Sequence, residues 1–235
     1  MSAEPLQRSL QAGAEALGVP LDAQQQRQLL QYLQLLQKWN QVYNLTAVRD
    51  PQEMLQLHLL DCLAAVPGFL RALREQQARI QAQNQAQAQT DVAAVPVLDV
   101  GAGGGLPGVV LAICCAQAQV QCVDAVAKKM AFVQQAAGAL GLPNLRATHA
   151  RVEALPGQYP IIASRAFASL ADFVTLTRQR LAPGGIWMAM KGKRPQQEID
   201  ALPPGVQVFH VEQLRVPGVA AERCIVWMRQ SDGTV

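Results

Sequence analysis

Asp99, Gly101, Gly103 and Gly105 alternate along the chain where the apolar run 95–100 gives out, and Gly108 precedes a second apolar run over 109–113. An apolar strand that breaks into glycines and resumes as an apolar helix is a strand-turn-helix unit whose turn lets a ligand lie against the backbone. A second acid, Asp124, ends the next apolar run about 20 residues past the glycines, the position that receives a ribose diol in such units. Arg165 follows the run 161–164, and Lys191, Lys193 and Arg194 follow the run 186–190. Strand ends of a parallel sheet line one crevice; Asp124 there points to an adenosine compound, and the basic run is either solvated surface or a phosphate contact beside that crevice.

Two fingerprints overlap in the turn. Gly103, Gly105 and Gly108 satisfy the dinucleotide pattern G-x-G-x-x-G, while Asp99, Gly101, Gly103 and Gly105 satisfy the methyltransferase pattern D-x-G-x-G-x-G. Charge favours the second and leaves the first open. A dinucleotide brings a pyrophosphate to the helix N-terminus, where the Asp99 carboxylate would repel it. S-adenosylmethionine has no phosphate and carries a sulfonium and an α-ammonium, which Asp99 suits. Asp124 does not discriminate, because both readings place an acid there.

At 235 residues, 50% hydrophobic and 5% aromatic, the chain can fill one good-sized core plus a smaller appendage. The start, Met1 to Pro5, lacks a basic region leading into an apolar segment, and no run approaches the ~20 apolar residues of a membrane span. A soluble, cytoplasmic protein without a membrane partner is expected. The five cysteines, Cys62, Cys114, Cys115, Cys122 and Cys224, show no C-x-x-C spacing and read as small buried residues, so no metal site is expected. A redox role for the adjacent Cys114 and Cys115 is outweighed by packing, since they fall in the helix after the turn. The net charge of +3 permits a nucleic-acid partner without demanding one.

Residues 4–18 read as a helix stopped by Gly18 and Pro20. A second helix opens on Asp22 and Gln25 as a capping box and carries Leu29, Leu33, Leu36 and Tyr43 on one face, so it needs a partner. Asp50-Pro51-Gln52-Glu53 is a helix start, with an acid at the N-cap and proline at the first position; that helix is expected from Met54 to about Val66. Within it His58 and Asp61 share a face, and spacing alone gives a surface pair or a satisfied histidine. Residues 71–89 are nearly all Arg, Gln and Ala and are expected to be an exposed helical or disordered connector. The expected division is a helical region over 1–70, a Gln/Ala-rich connector over 71–94 and a cofactor-binding domain over 95–235.

From Val95 strands and helices alternate, which implies a parallel sheet covered on both faces. Arg151-Val152-Glu153 follows the strand 145–150 and either touches the adenine or caps a turn. The last two apolar runs, 206–211 and 224–228, are joined through Pro217-Gly218 without a helix and must pair antiparallel. The expected fold is therefore α/β: a Rossmann-like sheet of class I methyltransferase type, mostly parallel with an antiparallel C-terminal strand, plus a small N-terminal helical region.

Four segments together resemble the RsmG (GidB) family of 16S rRNA guanine-N7 methyltransferases. They are Asn44 to Pro51 continuing to His58 and Asp61; Leu98 to Gly101 with Leu106-Pro107-Gly108; Ser164-Arg165-Ala166-Phe167-Ala168-Ser169-Leu170; and Lys191-Gly192. The resemblance implies that Gly101, Leu106, Val152, Glu153 and Arg165 line an S-adenosylmethionine site, to which Asp99, Gly103 and Asp124 are added from the motif reading. It implies a guanine in the 530 loop of small-subunit rRNA as target, and 16S rRNA or the small ribosomal subunit as partner. Two features depart from the family pattern: Cys62 stands where a serine usually follows, and the Gln/Ala connector is longer than expected.

Absences bear on the chemistry. The run 161–164 does not lead into the Asn/Asp-Pro-Pro-Tyr turn used on exocyclic amines, and no Pro-Cys pair occurs of the kind used on pyrimidine carbon. Guanine N7 has an in-plane lone pair and no proton, so its methylation needs alignment rather than a general base. Arg165 is the expected catalytic residue, positioning the cofactor or the guanine edge. Arg49, His58, Lys191, Lys193 and Arg194 are the expected RNA contacts. A monomer is expected. The competing readings are an NAD(P)-dependent oxidoreductase and a non-catalytic S-adenosylmethionine- or RNA-binding module.

Overall fold

The computed structural model describes residues 3–86 and 94–231. Its centre is a seven-stranded sheet in the order β3-β2-β1-β4-β5-β7-β6. The strands are β1 (Val95–Val100), β2 (Ala118–Asp124), β3 (Leu145–His149), β4 (Tyr159–Arg165), β5 (Leu181–Lys191), β6 (Val206–Leu214) and β7 (Arg223–Gln230). The first five run parallel, and β7 lies antiparallel between β5 and β6. The chain order reverses between β1 and β4, so the crevice for a ligand opens above those two strands.

Alternation along β1 divides the core. Val95 and Val97 enter one cluster, while Leu98 and Val100 enter the other, as side chains of a strand covered on both faces must. The first face is covered by α6 (Gly108–Cys114), α7 (Ala127–Leu140) and the N-terminal helices; the second by α8 (Leu170–Thr177), the single turn Val152–Ala154 and α9 (Gln196–Asp200).

The N-terminal part holds α1 (Ala3–Ala16) and α2 (Ala23–Tyr43), the latter opened by the expected capping box between Asp22 and Gln25. The next helix starts at the Asp50 N-cap as α3 (Pro51–Met54), widens into a π-helical turn over Leu55–Leu60, and resumes as α4 (Asp61–Leu63). Widened turns of this kind gather at functional sites. Here the widened turn leaves both His58 and Asp61 buried, which overturns the surface pair and agrees with the other alternative, a histidine satisfied inside the fold.

The connector differs from its expectation as well. Helix α5 (Val66–Ala86) runs without a break across the boundary drawn at residue 70, and Ala72, Leu73 and Gln76 are buried. Its few apolar side chains, Phe69, Leu73 and Ile80, fall on one stripe with Gln76, whose amide donates to Gly184 O at 3.2 Å. Low apolar content hid a sufficient stripe. The rest of the connector, 87–93, lies outside the described residues. The continuous helical stretch 51–83 is long and apolar enough to cross a bilayer, yet most of it is buried inside this fold, as a core helix would be.

Candidate active site

β1 delivers the chain to the glycine turn, where Gly101, Gly103 and Gly105 all have positive φ and Gly108 has no room for a side chain. Gly101 has φ +65°, and a Cβ there would run into the Phe167 ring. At Gly108 a Cβ would collide with Cys122 Sγ and stand 2.7 Å from Asp99 Oδ2. That close approach lets Asp99 Oδ2 accept the Gly108 N–H at 2.8 Å and hold the first turn of α6 from beneath. Asp99 is fully buried, Oδ1 has no partner, and burial pushes its pKa up to about 7. It lines neither cavity beside the turn, which corrects its expected contact with a cationic ligand: on β1 it shares the face of Val95 and Val97, towards α6.

Asp124, at the end of β2, holds the other side of the turn. Its Oδ2 accepts the Gly103 N–H at 3.1 Å and its Oδ1 the Val126 N–H at 2.9 Å, with Lys129 Nζ 3.3 Å away. From α2, the buried Tyr32 donates its hydroxyl proton to Gly104 O at 2.7 Å. The turn is thus fixed from three directions.

Two cavities flank Gly101. One, of about 350 Å³, is bounded by Asp124, Lys129, Val152, Glu153 and Phe167. The other, of about 550 Å³, is bounded by Gly103, Leu106, Thr46, His58, Arg165 and Arg223. Gly101 and Ala166 line both. Ala166 has φ +51°, a left-handed conformation rare for a residue with a side chain and common where a site demands it.

The larger cavity has a charged floor. Asp61 is buried between Arg165 and Arg223: Nη1 of Arg165 lies 3.2 Å from Oδ2, and Nε of Arg223 lies 2.8 Å from Oδ1. Arg165 Nη1 also donates to Leu57 O at 3.0 Å, a carbonyl in the widened turn. His58 Nε2 lies 2.8 Å from Thr46 Oγ1, and burial, then the charge of Arg165, lowers the imidazole pKa. Cys62 is buried beside this floor, its thiol pushed up to about 12 by burial, so it is not a thiolate nucleophile.

The donor set suits an adenosine joined to an amino-acid tail. A carboxylate stands beside the turn in the smaller cavity, and backbone with room beside it connects to the larger one. The family described as rRNA small subunit methyltransferase G matches residues 25–226. The chain belongs to that family. A protein named Ribosomal RNA small subunit methyltransferase G from Acidovorax sp. (strain JS42) is 60% identical over 226 residues, 95% of each chain. One of the same name from Methylibium petroleiphilum is 52% identical over 229 residues, covering 97% of this chain and 96% of its own. Among solved structures, TrmN from Thermus thermophilus is similar with a TM-score of 0.48 and 22% identity, over 64% of this chain and 48% of that one. S-adenosylmethionine is the cofactor of this methyltransferase G family member, and the oxidoreductase reading is set aside.

Within this family member the expected cofactor residues other than Asp99 surround the paired cavities: Gly101, Gly103, Leu106 and Arg165 at the larger, Asp124, Val152 and Glu153 at the smaller. The expected RNA contacts divide. Lys193 and Arg194 are exposed along a groove that meets the larger cavity at Lys191 and Gly192. Lys191 itself is largely buried and tied down, its Nζ donating to Ala168 O at 2.9 Å and lying 2.8 Å from Glu198. It therefore tethers the loop after Arg165 instead of offering a free charge, which corrects its expected role. His58 is likewise corrected: buried, bonded to Thr46 and held towards the neutral form, it is no phosphate contact. Arg49 is exposed in a separate groove with Gln37, Asn40 and Gln41.

Sequence reasoning missed Arg223, Thr46 and Ala166. Arg223 opens an ordinary-looking strand 162 residues from its partner Asp61, and no local pattern joins them. Thr46 stood inside a segment read as a connection and as part of the family resemblance, with no role of its own. Ala166 carries no polar group, and only its backbone angle marks it.

Proposed function

We propose that the chain transfers a methyl group to N7 of a guanine in the 530 loop of 16S rRNA, by direct in-line attack without a general base. The observation that carries the reading is the state of the proton acceptors at the larger cavity: Asp61 is engaged by two arginines, and of the His58 ring Nε2 is taken by Thr46 while Nδ1 is buried out of a substrate's reach. An acceptor bearing an N–H would call for a base there, whereas the N7 lone pair is already free. When bound, S-adenosylmethionine supplies a methyl group made electrophilic by its sulfonium.

The chain's residues contribute alignment. Asp124 receives the ribose hydroxyls while it also fixes Gly103, since a carboxylate has room for about four hydrogen bonds. Val152 and Glu153 bound the adenine end, and Gly101, Gly103 and Leu106 let the methionine end lie on the turn. Arg165, its guanidinium held in orientation through Nη1 by Asp61 and Leu57 O, presents its remaining donors to the reactants. Lys193 and Arg194 take RNA phosphates beside the opening. Substrate of this kind puts the protein in the compartment of the ribosome, the cytoplasm.

The test is incubation with radiolabelled S-adenosylmethionine and small subunits, or their RNA, from cells lacking this activity, followed by mapping of the label. Label at one guanine of the 530 loop, removable by the depurination and strand scission that N7 methylation permits, is expected. Absence of transfer to every form of that RNA overturns the proposal, and binding without turnover would make the chain a cofactor- or RNA-binding module.

A further inference from the structure

We infer that the last two turns of α2 form a stacking platform for an unpaired rRNA base neighbouring the one that enters the larger cavity. This rests on the rRNA reading above and adds a surface to it. Trp39 is half-buried, its ring 5.5 Å from that of Phe132 on α7, and Tyr43 packs on Trp39 with centroids 5.0 Å apart and planes at 35°. Tyr43 is 39% exposed and its neighbour Val42 70% exposed, so an aromatic pair anchored in the core ends in solvent. Core packing accounts for Trp39 and leaves Tyr43 and Val42 unexplained.

Three observations favour a single-stranded nucleic acid as the occupant. First, α2 carries no aspartate or glutamate from Ala23 to Tyr43, while Lys38 is exposed beside Trp39. Second, the same turns carry a groove of about 390 Å³ on the helix face turned away from the pair, lined by Gln37, Asn40, Gln41 and Arg49, so a strand crossing the end of α2 meets amides and a cation beyond the aromatic side chains. Third, the patch continues into the site. Asn44 adopts the left-handed conformation at φ +49° and turns the chain from Tyr43 to Leu45 and Thr46, which line the larger cavity. Asn40 fixes that turn, its Oδ1 accepting the Thr46 N–H at 2.8 Å. An aromatic face with Lys38 beside it, two residues from the cavity wall, is the arrangement that holds splayed single-stranded bases.

The test compares Tyr43→Ala and Tyr43→Phe with the unaltered protein in two assays: KM for small subunits lacking the modification, and Kd for a protein-free single-stranded RNA spanning the target loop. Stacking of one base predicts that Tyr43→Ala raises both about tenfold, with kcat and cofactor affinity unchanged within about twofold, and that Tyr43→Phe restores both. An unchanged KM and Kd in Tyr43→Ala overturns the platform. A raised KM with an unchanged RNA Kd also overturns it, in favour of a ribosomal-protein contact. If the unaltered protein transfers no methyl to the subunits, the proposed function fails, and the RNA Kd still decides the platform.

Discussion

Asp61 and Arg165 approach to 3.2 Å across 104 residues of sequence, joining the widened helical turn of the N-terminal part to the end of β4. Arg223 reaches the opposite oxygen of the same carboxylate at 2.8 Å. Removing Asp61 leaves two mostly buried guanidinium groups facing each other. Asp61→Ala is therefore expected to lower stability by about 3 kcal/mol and methyl transfer by at least about tenfold, with Asp61→Asn milder in both. Chemical denaturation and steady-state transfer on the same preparations check it; an unaffected stability would show that the carboxylate does not hold the arginines.

Tyr32→Phe deletes one hydrogen bond and leaves the ring in place. Loss of the donation to Gly104 O should cost about 1 kcal/mol of stability and weaken S-adenosylmethionine binding a few-fold, about threefold to tenfold, because the turn is then fixed from two directions. Titration calorimetry with the cofactor measures it.

Asp99 makes stability depend on pH in an unusual direction for an aspartate. Its value rises from 3.8 to about 7 in the folded chain, so between those pH values the native state keeps a proton that the unfolded chain has released. The contribution is complete below pH 3.8, falls as pH rises through the window, and is flat above about 7. Asp99→Asn keeps an acceptor for the Gly108 N–H and removes the titration. The stability difference between variant and parent should move in favour of the variant from pH 4 to 7, by at most on the order of 4 kcal/mol. A difference that stays constant across that range refutes the assignment.

Lys193→Ala with Arg194→Ala should reduce the slope of log K for RNA against log salt by about 1.4, two single-strand phosphate contacts at ~0.7 each, and leave cofactor affinity unchanged. Lys191→Ala should behave differently. It frees the Ala168 carbonyl and Glu198, so its effect falls on turnover and not on the salt slope.

The sheet, its antiparallel finish and the cofactor turn were legible in the sequence because they rest on local signals: glycine spacing, alternation along strands and helix caps such as Asp22 and Asp50. What the local pattern could not carry was direction. Asp99 and Asp124 are both acids at strand ends on the same face of the sheet, yet one sits beneath the turn and the other reaches a cavity, because Asp99 pairs with Cys122 and Asp124 stands two residues further along. Lys191 reads as part of a basic run until Glu198, a turn of chain later, claims it. The Asp61 floor was half visible, since His58 and Asp61 stood out by spacing, but Arg223 enters only through the sheet order that sets β7 beside β5.

The core cluster under the glycine turn draws on Leu10 of α1, Leu33 and Leu36 of α2, Phe69 of α5 and Val109 of α6 in one continuous body. The N-terminal helices are thus not an adaptor appended to a self-sufficient catalytic unit. Residues 95–231 expressed alone would present the α6 and α7 face to water with a third side of the turn unheld. An insertion, permutation or domain exchange that separates residues 3–86 from 94–231 would divide one hydrophobic interior and leave each piece with an uncovered apolar face.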